Sequence, residues 1–253
     1  MERRLYVLAG IAAVVAAGAG YYYWQQAQAP TPPPKAMAPP AAVPSVEHPI
    51  TPAAGAPLPP LADSDGVLGA ALAALAHATS LPDLFYPDRI ARRIVATIDN
   101  LPREQVAAEV RLLRPPDGPL ATRGEDENSL TLAPDNAARY ARYMSLLAQI
   151  DVAEAAATYR RFYPLLQQAY EELGYPGHYF NDRVVAVIDH LLAAPEASEP
   201  VRLVHPSVMY RYADPKLESL SAGQKALVRI GRENAAAVKA KLRAFRAEIA
   251  GTH

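Results

Sequence analysis

From residue 63 onward, apolar residues recur along the chain with the three-to-four-residue spacing that is typical of amphipathic helices. Ile90, Ile94 and Ile98, for example, fall on one face of such a helix. No run of alternating residues is long enough to predict a large sheet. The pattern predicts helices at residues 67–76, 87–101, 135–150, 151–173, 181–191, 221–230 and 233–249.

Local signals mark the ends of some of these helices. Asp151, followed three residues later by Glu154, has the pattern of a capping box, and Gly174 is placed to end the helix that Asp151 opens. Residues 110–123 and 202–212 have an extended pattern instead. We therefore predict an all-α, mainly helical domain with one or two short β-hairpins.

Two pairs of short strings recur at a spacing of about 90 residues. The string IVATIDNL at 94–101 matches VVAVIDHL at 184–191, and VRLLRP at 110–115 matches VRLVHP at 201–206. A pseudo-twofold duplicated helical domain would explain the match, because a loop and a pair of helices follow each string. Chance similarity between apolar helices explains it equally well, so both interpretations stay open.

Residues 5–24 contain no charged side chain, and Arg3 and Arg4 precede them. A helix of this length just crosses the hydrocarbon core of a bilayer, which is about 30 Å thick. The stretch ends in the aromatic residues 21–24, and such rings favour the membrane interface. The positive-inside rule then places residues 1–4 in the cytoplasm and predicts a single-pass inner-membrane protein with its C-terminal domain in the periplasm.

A cleaved signal peptide is the alternative interpretation of this segment, because residues 27–29 read Ala-Gln-Ala. Pro30 directly after that box argues for a retained signal-anchor instead, since signal peptidase tolerates proline poorly there. Ala12, Ala16 and Gly20 share one helix face, which would let two anchors pack as a homodimer. An alanine-rich span with no partner explains the same residues.

Residues 25–62 are rich in proline and alanine, and this composition predicts a disordered linker. At about 3.1 Å per residue, an extended linker of this length would reach on the order of 100 Å. The helical domain is then predicted to occupy residues 63–253 and to stand well away from the bilayer.

Composition and charge exclude several kinds of function. The chain has no cysteine, so disulfides and thiolate chemistry are absent. A net charge of −1 offers no support for binding nucleic acid. The six histidines include no pair at i, i+4 and no HExxH pattern, so we expect no metal site and no cofactor.

Three residues are weak candidates for catalysis. Asp99 and Asp189 occupy equivalent places in the two repeated strings, and His190 follows directly. A pseudo-twofold axis could bring the two carboxyl groups together as a general acid and base in a hydrolase or lyase. The alternative is that each aspartate pairs with an arginine or accepts backbone hydrogen bonds.

Tyrosine and arginine interleave between residues 139 and 183, which suggests a groove of rings and guanidinium groups that binds a peptide or a glycan. The alternative is a set of helical core stripes in which tyrosine keeps its hydroxyl at the rim. The candidate binding residues are Arg139, Tyr143, Tyr163, Tyr170, Tyr175, Asn181 and Arg183.

Four strings resemble a bacterial family called domain of unknown function 3014: RRIVATIDNLPR (92–103), YRRFYPLLQQAYEELGYP (159–176), FNDRVVAVIDHLLAAPE (180–196) and LESLSAGQKALVRIG (217–231). The resemblance spans about residues 63–250. It implies an envelope protein with an N-terminal anchor, and it brings no activity and no catalytic residue. We therefore expect an envelope module that binds a protein or glycan partner, with an envelope hydrolase or lyase as the alternative.

Overall fold

Eight α-helices dominate the part of the chain that the structure, a computed structural model, describes: residues 45–78, 82–124, 129–205 and 209–251. The prediction of a mainly helical fold is confirmed. The helices are α1 (Asp65–Leu75), α2 (Ile90–Asn100), α3 (Ala141–Gln149), α4 (Val152–Glu172), α5 (Phe180–Leu192), α6 (Pro215–Glu218), α7 (Ala222–Arg229) and α8 (Arg232–Ile249). Shorter 3₁₀ helices occupy Leu61–Asp63, Ala108–Val110 and Pro134–Tyr140.

Two small antiparallel hairpins complete the described structure, as the sequence predicted. Strand β1 (Thr122–Arg123) pairs with β2 (Thr131–Leu132), and β3 (Leu203–Val204) pairs with β4 (Arg211–Tyr212). A bridge between Thr131 and Arg202 joins the two hairpins. The strands are too short to form a layer of their own, so the core belongs to the helices.

The main core lies between α2, α4, α5 and α8. Helix α2 packs on α4, and α8 packs on both α4 and α5. Each of these helices has one apolar stripe, and burying it against the others removes that stripe from water. Fully buried side chains at the centre include Ile90, Val95, Ala156, Phe180, Val185 and Ile249.

The start of α4 follows the local signal in the sequence, whereas the start of α2 does not. Asp151 Oδ1 accepts a hydrogen bond from the Glu154 amide at 3.0 Å, as expected of an N-cap. Helix α2, however, begins at Ile90 and is capped from another helix. The Asp65 carboxylate accepts from the amides of Arg89 and Ile90, both at 2.7 Å. A cap supplied by a residue this distant leaves no pattern in the local sequence.

Residues 45–62, called the strap below, lie against the helices, although the sequence assigned them to the disordered linker. The amides of Glu47 and His48 donate to the Asp182 carboxylate at 3.1 and 2.7 Å. Ile50 and Leu58 pack against the main core. Composition misassigned the strap because a few apolar side chains and a backbone that finds partners are enough to order a proline-rich segment. The folded domain therefore includes residues 45–62.

The predicted transmembrane helix at 5–24 and the first part of the predicted linker, residues 25–44, lie outside the described residues. Within the described ranges, no helix combines the length and the hydropathy needed to cross a membrane.

A close junction joins the end of α2 to the start of α7. The amides of Ala222 and Gly223 donate to the carbonyl oxygens of Arg103 and Leu101, at 2.7 and 2.9 Å. A Cβ atom at position 223 would lie 2.5 Å from Leu191 Cδ2 and 3.1 Å from the Leu101 carbonyl oxygen. Glycine is therefore required here for close approach between the two helices.

Gly223→Ala should destabilise the domain by about 1–3 kcal/mol, because the added methyl group overpacks this junction. Gly66→Ala in α1 is the matched control, since a Cβ there meets nothing within 4 Å. That change should stabilise by roughly 0.5–1 kcal/mol through helix propensity. Urea denaturation followed by circular dichroism measures both, and effects of the same sign would contradict the assignment of Gly223 to a packed junction.

Candidate functional site

Asp99, the first catalytic candidate, is buried at the C-terminal end of α2. Its Oδ1 accepts from Arg183 Nε at 2.9 Å. Its Oδ2 accepts from Arg103 Nη2 at 2.7 Å and from the Tyr175 hydroxyl at 3.2 Å. We call these four residues the Asp99 cluster. The buried carboxylate is thus bonded by two guanidinium groups and one hydroxyl.

Three different elements position the partners of Asp99. Arg103 follows α2 by a few residues, Tyr175 lies in the turn after α4, and Arg183 lies in the first turn of α5. The Tyr175 ring stacks on Tyr170 with centroids 4.7 Å apart, which fixes the position of its hydroxyl. The hydrogen bond from Arg103 to Asp99 and the attraction between their charges raise the pKa of the Arg103 guanidinium.

Asp189, the second candidate, has a different environment. It is half-exposed, and its two carboxylate oxygens accept from Arg246 Nε at 2.6 Å and Nη2 at 2.9 Å. Asp99 and Asp189 thus have separate arginine partners, and neither contacts the other. The structure does not assemble them into an acid–base pair. The duplication of the domain stays a prediction, although these two equivalent positions differ in burial and in partners.

His190, the third candidate, contacts a serine that the sequence did not connect with it. His190 Nε2 lies 2.8 Å from Ser221 Oγ, and the same oxygen accepts from the Gln224 amide at 3.3 Å. A nucleophilic serine needs nearby free hydrogen-bond donors, often backbone amides, to stabilise an oxyanion. The amides of Ala222 and Gly223 are already bonded to the end of α2. The serine therefore acts as the N-cap of α7, and the histidine buttresses that cap.

The candidate binding residues separate into three places. Tyr170, Tyr175 and Arg183 belong to the Asp99 cluster or pack on it. Arg139 and Tyr143 hold the loop at 114–118: Arg139 Nη2 donates to the Gly118 carbonyl at 2.6 Å, and the Tyr143 hydroxyl donates to the Arg114 carbonyl at 2.7 Å. These residues therefore do not line one continuous groove.

Tyr163 and Asn181, the remaining two, are buried, and Asn181 contacts the strap. Asn181 Nδ2 donates to the carbonyl oxygens of His48 and Ile249, both at 2.9 Å, and its Oδ1 accepts from the Tyr159 hydroxyl at 3.0 Å. Burial raises the pKa of Tyr159 and of Tyr163, so both hydroxyls remain protonated donors. This part of the candidate site is structural: it ties the strap and the end of α8 to α5.

A broad groove on the described surface lies elsewhere, between β2, residues 195–201 and the junction of α7 and α8. We call it the α7–α8 groove. Its volume is about 840 Å³, and its floor includes the buried side chains Val201, Leu227 and Val228. None of the sequence-predicted site residues lines it. Its charged lining residues are Arg123, Arg229, Arg232, Lys239, Glu196, Glu199 and Glu233.

Sequence reasoning missed this groove because three segments that are far apart along the chain form it. The one local signal is Gly231, which breaks the helical pattern between α7 and α8 with φ 86°. Over the described ranges, histidine, aspartate and glutamate form no group of three or more suited to a metal ion. The expectation of no metal and no cofactor stays a prediction.

Fold and site together define a small helical domain whose catalytic candidates are engaged in internal contacts and whose described surface carries a broad groove. The chain belongs to the family described as "Protein of unknown function (DUF3014)", whose family model matches residues 90–246, more than half of its length. The resemblance seen in the sequence is confirmed. The match begins at α2, so the strap and α1 lie outside it. Comparisons with curated proteins and with solved structures found no match.

Replacing Asn181 by alanine should cost about 2–4 kcal/mol of unfolding free energy, because it leaves one buried carbonyl, one partly buried carbonyl and one partly buried hydroxyl without their partner. Asn100→Ala is the control: that side chain bonds only to the Ala96 carbonyl one turn earlier in α2, so its loss should cost under about 1 kcal/mol. Urea denaturation of the full chain measures both. Equal losses for the two variants would show that Asn181 does not join the strap to the helices.

Proposed function

We propose that this chain is a membrane-tethered binding module that captures a partner polypeptide in the α7–α8 groove and performs no catalysis itself. The observation that carries the proposal is the engagement of every catalytic candidate. Asp99 is bonded to Arg103 and Arg183, Asp189 is paired with Arg246, and His190 supports a helix cap. A hydrolase or lyase using these residues is the alternative, and it would first have to break these contacts.

The anatomy of the groove favours a polypeptide partner. An apolar floor surrounded by charged residues of both signs resembles the apolar centre and polar rim of protein interfaces. A volume of about 840 Å³ lies within the usual range for binding sites, roughly 300–1,000 Å³. Among the described residues, no aromatic side chain lines the groove, so this lining lacks the ring faces on which sugar rings stack. We therefore prefer a protein to a glycan as the partner.

The proposed location rests on the N-terminal sequence. An uncharged segment at 5–24, preceded by two arginines and closed by aromatic residues, supports a signal-anchor with the domain in the periplasm. Because the strap belongs to the domain, the proposed linker shortens to residues 25–44. Extended at about 3.1 Å per residue, twenty residues would reach on the order of 60 Å. That reach would present the groove to partners in the envelope beyond the bilayer surface.

The topology can be tested with a C-terminal epitope on the full chain and proteinase K applied to intact spheroplasts. We expect the epitope to be lost without permeabilisation, because the domain lies outside the inner membrane. A cytoplasmic reporter protein in the same cells should stay protected. Protection of the epitope until detergent is added would place the domain in the cytoplasm and overturn the proposed location.

The groove can be tested by placing a photo-crosslinking amino acid at Ala236, an exposed residue that lines it. We expect a discrete high-mass adduct in cells. The same amino acid at Ala74, exposed on α1 and outside the groove, should give none. Arg232→Glu, a change at the solvent-exposed Arg232–Glu196 pair, should reduce the Ala236 adduct about fivefold, a change of roughly 1 kcal/mol. Similar adducts from positions 236 and 74, or none from either, would contradict the proposal.

A further inference from the structure

We infer that the Asp99 cluster is a binding site for a carboxylate group, presented by Arg103 and Arg183. The site is distinct from the α7–α8 groove, because none of its residues lines that groove. The inference therefore does not depend on the proposed capture of a polypeptide there. It rests on three features of the cluster: its charge, its unused donors and its rigidity.

The charges of the cluster do not balance. Two guanidinium groups face one carboxylate, which leaves a net charge of +1. Each guanidinium bonds a different oxygen of Asp99, at 2.7 and 2.9 Å, so the two donor nitrogens are held within about 8 Å of each other. One further carboxylate would neutralise the pair. A phosphate, with a charge of about −2 near neutral pH, would overcompensate.

Both arginines retain donors that face no protein acceptor. Within the described residues, Arg103 uses only Nη2, and Arg183 uses Nε and Nη2. Nε and Nη1 of Arg103 and Nη1 of Arg183 are thus available to a ligand. The Arg103 side chain is 54% exposed and that of Arg183 is 30% exposed, so both are accessible from solvent. Guanidinium groups bind carboxylates through such paired N–H groups.

The cluster also holds its arginines in place before any ligand arrives. Arg183 Nη2 donates to the backbone carbonyl of Asp99 at 2.8 Å, and Arg103 Nη2 donates to the Tyr175 hydroxyl at 3.0 Å. The Tyr175 ring is in turn stacked on the buried Tyr170. Side chains that are ordered in advance lose less conformational entropy when a ligand binds.

Another aspartate that contacts two arginines shows how the Asp99 cluster differs from an ordinary structural ion pair. Asp88 also contacts two arginines, Arg89 and Arg93. The Arg93 guanidinium, however, is buried and already donates to Asp88 and to the carbonyl oxygens of Glu109 and Arg111. All three nitrogens of the Arg93 guanidinium therefore already donate to protein acceptors. In the Asp99 cluster the carboxylate is buried and the guanidinium edges are open, which is the arrangement that suits an external anion.

The test uses the full chain labelled with ¹⁵N-arginine and follows the Nε–H signals of Arg103 and Arg183 by NMR. Sodium acetate should shift both signals in a saturable way, with a dissociation constant in the millimolar range that a single ion pair supports. Sodium chloride at the same ionic strength should not. An N-acetylated tetraglutamate peptide distinguishes the source: tighter binding than acetate identifies an acidic peptide, and equal or weaker binding identifies a small carboxylic acid.

Arg103→Gln should weaken acetate binding at least tenfold, as read from the Arg183 signal. Arg92→Gln is the matched control, because Arg92 is a partly exposed arginine paired one-to-one with Glu172. It should leave the affinity for acetate unchanged. Equal shifts with chloride and acetate, retained affinity in Arg103→Gln, or equal losses in both variants would each overturn the inference. An unchanged unfolding midpoint for Arg103→Gln would show that a lost response reflects binding rather than folding.

Discussion

The buried amide of Asn181 is the contact on which the rest of this domain depends. It bonds the strap through His48, the end of α8 through Ile249, and α4 through the Tyr159 hydroxyl. The amide is satisfied on all sides, and it lies where water cannot replace a lost partner. One side chain of α5 therefore bonds both the N-terminal strap and the C-terminal end of α8.

A second constraint is the placement of charge. Arginines neutralise both candidate aspartates: Arg103, four residues along the chain, and Arg183, from another helix, at Asp99, and Arg246 at Asp189. Asp99 is the buried member of these pairs, and a buried charge needs its partners, so the residue needs no catalytic role to be important for stability. The same arrangement leaves some guanidinium nitrogens of Arg103 and Arg183 without an acceptor among the described residues. Structural stability and a binding surface thus arise from one cluster, while the apolar groove is built elsewhere.

Prediction succeeded where the physical cause was local. The apolar spacing around Ile90 and Ile94 and the cap formed by Asp151 act within one or two turns of helix, so the helices could be located from sequence. Prediction failed where the cause was distant. The cap of α2 comes from Asp65 on another helix, and the partner of His190 is Ser221, which follows 31 residues later. Neither contact produces a periodic pattern in the sequence.

The sequence by itself determined the family, the helical class and the approximate helices, because these depend on local spacing and on continuous strings of residues. Only the tertiary structure decided that residues 45–62 belong to the domain, since their order depends on Asp182, Tyr179 and Asn181. It also decided that the tyrosine–arginine residues divide among three places. Burial and pairing depend on which helix faces which, and that relation is a property of the packed chain.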